Sequence, residues 1–127
     1  MIAHDVSIEE LAAALLFGAE GLPCDEAGIG LLVAHGTYLA RNDFRRFVDP
    51  IGDSGMIWVD FAGALEADLP GTKSERRLLL LAAELHGRKT AYNLATLLTG
   101  HSRHDASLIL LSVAHALGID DEQVRDE

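Results

Sequence analysis

The chain has 127 residues and a mass of 13.6 kDa, enough for one domain that hides roughly two-thirds of its unfolded surface. A hydrophobic fraction of 49% with a mean hydropathy of +0.17 excludes a disordered acidic tail protein. Ten bases against twenty acids give a net charge of −10, so direct nucleic-acid binding is not expected.

In chain order, Ser7 with Glu10 forms a capping-box pattern ahead of Ile8, Leu11, Ala12, Leu15 and Ala19 at helical spacing. Gly18 or Gly21 supplies the stop. Pro23, Asp25 and Glu26 open a second helix whose stripe is Ile29, Leu32, Val33, Gly36 and Leu39. Asn42 caps a short third segment carrying Phe44, Phe47 and Val48, which Pro50 ends. Residues 49–55 read as a loop. The segment 56–59 fits either a very short strand paired back onto Phe47-Val48 or an apolar lead-in to a helix capped by Asp60. The second reading is favoured, because an isolated hairpin containing a proline pairs poorly. Trp58, the only tryptophan, is expected to be a mostly buried anchor.

Thr72 with Glu75 is a second capping box, opening a helix through Leu78–Leu81, Ala82 and Leu85 to Gly87. Asn93 caps Leu94, Leu97 and Leu98, closed by Gly100. Ser102 with Asp105 caps a last helix with the stripe Ala106, Ile109, Leu110, Val113 and Leu117, ending at Gly118. The predicted fold is all-α: one compact bundle of five to seven helices over residues 1–118, followed by an acidic, frayed tail at 119–127. The last helix adds Leu108 and Leu111 to its main stripe, so it is expected to be central in the bundle, the alternative being a homodimer seam.

The order of Gly30-Leu-Leu-Val-Ala-His-Gly-Thr-Tyr-Leu-Ala-Arg-Asn-Asp-Phe44, Trp58-Val-Asp-Phe61, Ser74-Glu75-Arg76, Leu97-Leu-Thr-Gly100 and Ala114-His-Ala-Leu-Gly118 resembles a group of small uncharacterised actinobacterial helical proteins. That resemblance implies a bacterial cytosolic helical domain and carries no activity with it.

Six histidines are the first candidates for chemistry. His101 and His104, with Asp105 adjacent, place three nitrogen and oxygen donors near a helix start, the weak candidates for a metal site. A helix's first turn favours anions, however, and the bland reading is a polar capping turn, so no metal and no cofactor are expected. His104-Asp105 also resembles the HD dipeptide of helical metal-dependent phosphohydrolases. That likeness implies an upstream His and a downstream Asp, places that His86 and Asp120 would fill, but the pair sits at a helix start instead of lining a pocket. His35 and His115 lie inside helices and read as neutral core side chains. Gly28, Gly30 and Gly36 lack the strand, spacing and Lys-Ser/Thr of a phosphate loop, and read as places where another helix backbone comes close. Cys24 has Asp25 and Glu26 beside it, which oppose a thiolate; being the only cysteine, it excludes an internal disulfide. The last helix offers no base-reading side chains for a helix-turn-helix.

Charge falls in blocks. The first forty residues hold six acids and no Lys or Arg; Lys73 to Lys89 holds five bases and two acids. No catalytic residue stands out. The favoured expectation is a cytoplasmic, non-enzymatic interaction protein whose candidate surface carries Glu9, Glu10, Glu20, Asp25 and Glu26, with a protein partner of basic character. The alternatives are an acidic inhibitor or nucleic-acid mimic occupying a basic groove, and a small metal-dependent hydrolase using His101, His104 and Asp105. No apolar run, Leu78 to Ala83 included, approaches a membrane span, so no membrane partner is expected.

Overall fold

A computed structural model of the chain describes residues 6–50 and 57–119; the loop expected at 49–55 and the acidic tail fall largely outside them. The elements are α1 (Ile8–Ala19), α2 (Pro23–His35), a 3-10 turn (Tyr38–Ala40), α3 (Asn42–Arg45), β1 (Val48–Pro50), β2 (Ile57–Val59), α4 (Phe61–Glu66), α5 (Lys73–Leu85), α6 (Leu94–Leu97) and α7 (Arg103–Ala116). The protein is therefore mostly helical, with seven α-helices and one two-stranded antiparallel sheet among the described residues. No helix there is long and apolar enough to cross a membrane.

The caps at Ser7, Thr72, Asn93 and Ser102 form where the sequence puts them, whereas Asn42 is the first residue of α3, whose N-cap Arg41 makes no side-chain cap bond. Thr72 and Glu75 close a full capping box: Glu75 N–H donates to Thr72 Oγ1 at 3.1 Å and Thr72 N–H donates to Glu75 Oε1 at 2.8 Å. Ser7, Asn93 and Ser102 each accept from the backbone N–H three residues on. At α1 the Glu10 carboxylate takes the Ser7 hydroxyl, so only half of the expected box is made. Helix α2 is shorter than its predicted stripe. Gly36 adopts φ +79 and ends it, and the following 3-10 turn swings Tyr38 and Leu39 into the core.

The favoured reading of 56–59 is corrected. Val48 pairs with Val59, Asp49 with Trp58 and Pro50 with Ile57, so a hairpin does form, and Asp60 still caps α4 by accepting from Gly63 N–H. The two readings are compatible because the strand ends at Val59, and Pro50 sits in the last pair of the ladder, where proline is tolerated. Trp58 is corrected with it. Strand alternation turns Ile57 and Val59 into the core and leaves Trp58 43% exposed on the outer face.

The last helix is not the central one. Helix α2 takes that place, packed against α1, α5 and α7. Gly28 lets α5 in: a Cβ there would lie 2.6 Å from the Ala82 carbonyl oxygen. The leucine run of α5 is buried at Leu78, Leu79 and Leu81. Helix α7 packs along α2, has Ile109, Ser112 and Ala114 buried, and leaves Leu110 57% and, just past its end, Leu117 71% exposed. Its all-round apolarity is explained by two faces, one packed on α2 and one facing outward among the described residues. Buried Arg45 stitches the fold's edge, its Nε donating to the Leu39 carbonyl at 2.8 Å and its Nη1 to that of Val6 at 2.6 Å.

Candidate functional site

Helices α2 and α7 run antiparallel, and a histidine–carboxylate pair marks each end. His35, in the last turn of α2, faces Asp105 in the first turn of α7 at 3.7 Å. His115, in the last turn of α7, meets Glu26 in the first turn of α2 at 2.9 Å. Each pair sets an imidazole at a negative helix end and a carboxylate at a positive one, which suits both dipoles. The His115 ring and, secondarily, the Gly21 N–H hold the Glu26 carboxyl below the usual carboxylate range. A third pair, His86 with Asp25 at 3.9 Å, ties the end of α5 to the start of α2, and the His86 ring lies tilted against Phe61.

Around Asp105 a polar cluster forms. Ser74 Oγ lies 3.0 Å from His101 Nδ1 and 3.4 Å from Asp105 Oδ2, while His101 Nε2 lies 2.7 Å from the Leu97 carbonyl. A carbonyl only accepts, so Nε2 carries a proton, and the single Ser74 hydroxyl proton serves either the Asp105 carboxylate or a neutral His101 Nδ1. Of the three metal candidates, His101 and Asp105 are brought together through Ser74, with both nitrogens of His101 engaged. His104 is exposed, and no side-chain hydrogen bond or ion pair joins it to them among the described residues. No group of three or more His, Cys, Asp or Glu is placed to hold a metal among the described residues. The order His101–Ser74–Asp105 also differs from a nucleophilic triad, in which the imidazole stands between hydroxyl and carboxylate. The cluster is a clamp joining the starts of α5 and α7. Ser74 carries no signal in the sequence beyond its position beside a cap.

The third arrangement is a groove of about 350 Å³ above α2, walled by α1 and α7. Its floor is Ala27, Gly30 and Ala34, small residues at helical spacing. A Cβ built on Gly30 meets nothing within 4 Å, so the floor is open. On the α1 side Leu16 lines it, 42% exposed, in a stripe that runs Glu9, Ala13, Leu16, Glu20, all of them exposed. Leu108 and Leu111 line the α7 side, continuing the stripe from His104 to His115. The Glu26–His115 pair forms a ridge shared with a second hollow of about 530 Å³ that reaches exposed Leu117 and Ile119. The five acidic candidates thus divide by role. Glu9, Glu10 and Glu20 are exposed, Glu9 and Glu20 flanking the groove wall, while Asp25 and Glu26 are engaged by His86 and His115. The groove residues themselves have the sequence character of core; their one signal is the surplus apolar face of α7.

Compared with protein-family models, with curated proteins and with solved structures, the chain matches none.

Proposed function

We propose that the protein is a cytoplasmic, non-enzymatic interaction protein that works through the α1–α2–α7 groove, and that its partner is a basic amphipathic helix of another protein. The observation that carries this reading is the open floor of Ala27, Gly30 and Ala34 between two leucine-bearing walls. Small residues let a helix axis come close, and leucines on both sides supply the apolar anchors of helix-in-groove recognition. The partner's charge follows from the rim. Glu9 and Glu20 flank Leu16, Glu26 closes the floor, and α1 and α2 contain no Lys or Arg. A second copy of this chain fits less well, because its own α1 and α2 bring acids only. The acidic-mimic reading needs Asp25 and Glu26 free, yet histidines engage both; the hydrolase reading needs His104 beside His101 and Asp105.

The test is fluorescence anisotropy with a labelled model peptide carrying Leu on one helical face and Lys on the other. Binding should occur, weaken as salt rises, and fall at least about tenfold in Gly30→Leu, whose side chain fills the floor. Gly30→Leu removes a glycine from a helix interior into open space, so its melting point should hold or rise. Unchanged binding in Gly30→Leu, or equal binding of a peptide of the same composition in scrambled order, would overturn the reading. A dimer in sedimentation that Gly30→Leu dissociates would give the groove to a second copy instead.

A further inference from the structure

The apolar track over α2 does not end at the Glu26–His115 pair. Beyond it the second hollow, about 530 Å³, continues over the first turn of α2 at Pro23, and Glu26 and His115 are the residues that line both. The far wall is built by the way α7 stops. Gly118 takes φ +80, its N–H donates to the His115 carbonyl at 3.0 Å, and the Ile119 N–H donates to that of Ala114 at 2.9 Å. These are the paired bonds of a Schellman turn. The turn sets Leu117 and Ile119, both exposed, beside the hollow. From Pro23 to Ala34 the lining of the two hollows follows α2 for roughly 16 Å, about three turns of an apposed helix.

One carboxylate interrupts this track. Among the described residues that line the two hollows, Glu26 is the sole acid and none is Lys or Arg. Its Oε2 accepts from the Gly21 N–H at 3.1 Å, which anchors the carboxylate at the start of α2, while Oε1 lies 2.9 Å from His115 Nε2. Held low by these partners, the carboxyl is ionised at neutral pH. Of the two donors, Gly21 is fixed in the backbone. The His115 side chain is 55% exposed and turns away without unmaking any backbone bond. The imidazole therefore fills the place on Glu26 that an incoming cation would take.

Resting on the groove reading above, we propose that Glu26 selects the partner: the bound helix spans both hollows and sets a Lys or Arg between its apolar anchors, and that cation takes the Glu26 carboxylate from His115. On a helix lying along α2, the apolar anchors fall at i, i+4 and i+11 and the cation at i+7. In the reverse direction the cation falls at i+4 and the anchors at i, i+7 and i+11. A cation inside the apolar stripe separates this partner from an amphipathic helix whose bases keep to the opposite face. His115 competes with the partner, so its removal strengthens capture, whereas loss of the Glu26 charge removes the selection.

The experiment is fluorescence anisotropy on the full chain with labelled Leu/Lys model helices, in pairs that differ only by Lys or Gln at i+7, or at i+4. In one of the two registers the Lys peptide should bind about three- to fivefold more tightly than its Gln counterpart. Glu26→Gln should erase that preference. His115→Ala should tighten the Lys peptide several-fold and leave the Gln peptide unchanged. The peptide comparison uses the unaltered chain, so it decides the matter even if a variant folds poorly. Failure of every peptide to bind would overturn the groove reading and this inference with it. Binding without a preference for Lys in either register, a preference that survives Glu26→Gln, or an unaltered Lys-peptide affinity in His115→Ala would overturn this inference alone.

Discussion

Three glycines of this chain look alike in the sequence and do different work. Gly28 brings α5 against α2, Gly36 ends α2 in left-handed backbone, and Gly30 faces open space. Close approach of another helix backbone therefore holds for Gly28 alone. Gly28→Ala would push a Cβ to 2.6 Å from a carbonyl oxygen and force two central helices apart, which should cost about 1–3 kcal/mol. Gly30→Ala should instead gain about 0.5–1 kcal/mol, having only the backbone-entropy term to recover. Thermal melts of the two variants should shift in opposite directions, and a shared direction would contradict the packing described. Trp58→Ala belongs at the same scale. With the ring on the outer face of a short hairpin, its loss should cost about 1 kcal/mol or less, well short of the roughly 3–5 kcal/mol expected of a buried tryptophan.

At the scale of elements, helix starts were legible because capping chemistry is local: Ser7, Thr72, Asn93 and Ser102 need only a neighbour three residues away. The hairpin was not, because its two short strands pair across residues outside both of them and gain stability only when Val48, Ile57 and Val59 meet α1 and the core. Nor could the helix order be read. Periodicity tells that α7 has an apolar face to spare, but not whether protein or solvent stands over it. The histidine pairs lay equally out of reach, since Glu26 and His115 are 89 residues apart in sequence. Two of these element-level contacts carry a pH dependence. The Glu26 carboxyl is held low by His115, and that of Glu75 by the Thr72 backbone N–H, each below an ordinary value near 4.5. A depressed folded value means that the stabilisation is present above the unfolded value and is lost as pH falls through the folded one. Melting points taken from about pH 6 down to about pH 3 should therefore decline, and the decline should be shallower in Glu26→Gln and in Glu75→Gln. An acid limb of unchanged slope in both variants would remove these carboxylates from the account. Thr72→Ala, which opens the capping box, should cost about 1 kcal/mol near neutral pH.

For the whole molecule the governing fact is segregated charge. Helices α1 and α2 carry acids without a single Lys or Arg, while Lys73 to Lys89 carries five bases. Glu9 and Glu20 lie exposed on α1 and no basic side chain pairs with them among the described residues, so their mutual repulsion and that of the remaining net charge oppose the compact state. Salt screens such repulsion over about 10 Å at 0.1 M, whereas the buried apolar contacts that hold α2, α5 and α7 together respond little at that concentration. The melting point should accordingly rise between low ionic strength and about 0.3 M sodium chloride, and the rise should shrink in the Glu9→Gln, Glu20→Gln double variant. Because exposed charges individually contribute about 0–1 kcal/mol, that variant should fold as well as the parent at high salt and slightly better at low salt. Capture of the Leu/Lys model helix should move the other way, slowing and losing its salt dependence as the rim is neutralised, because steering depends on summed charge. A double variant that melts higher at low salt yet captures the peptide at an unchanged rate would separate the two effects, and would leave the apolar floor over Gly30 as the whole of the recognition surface.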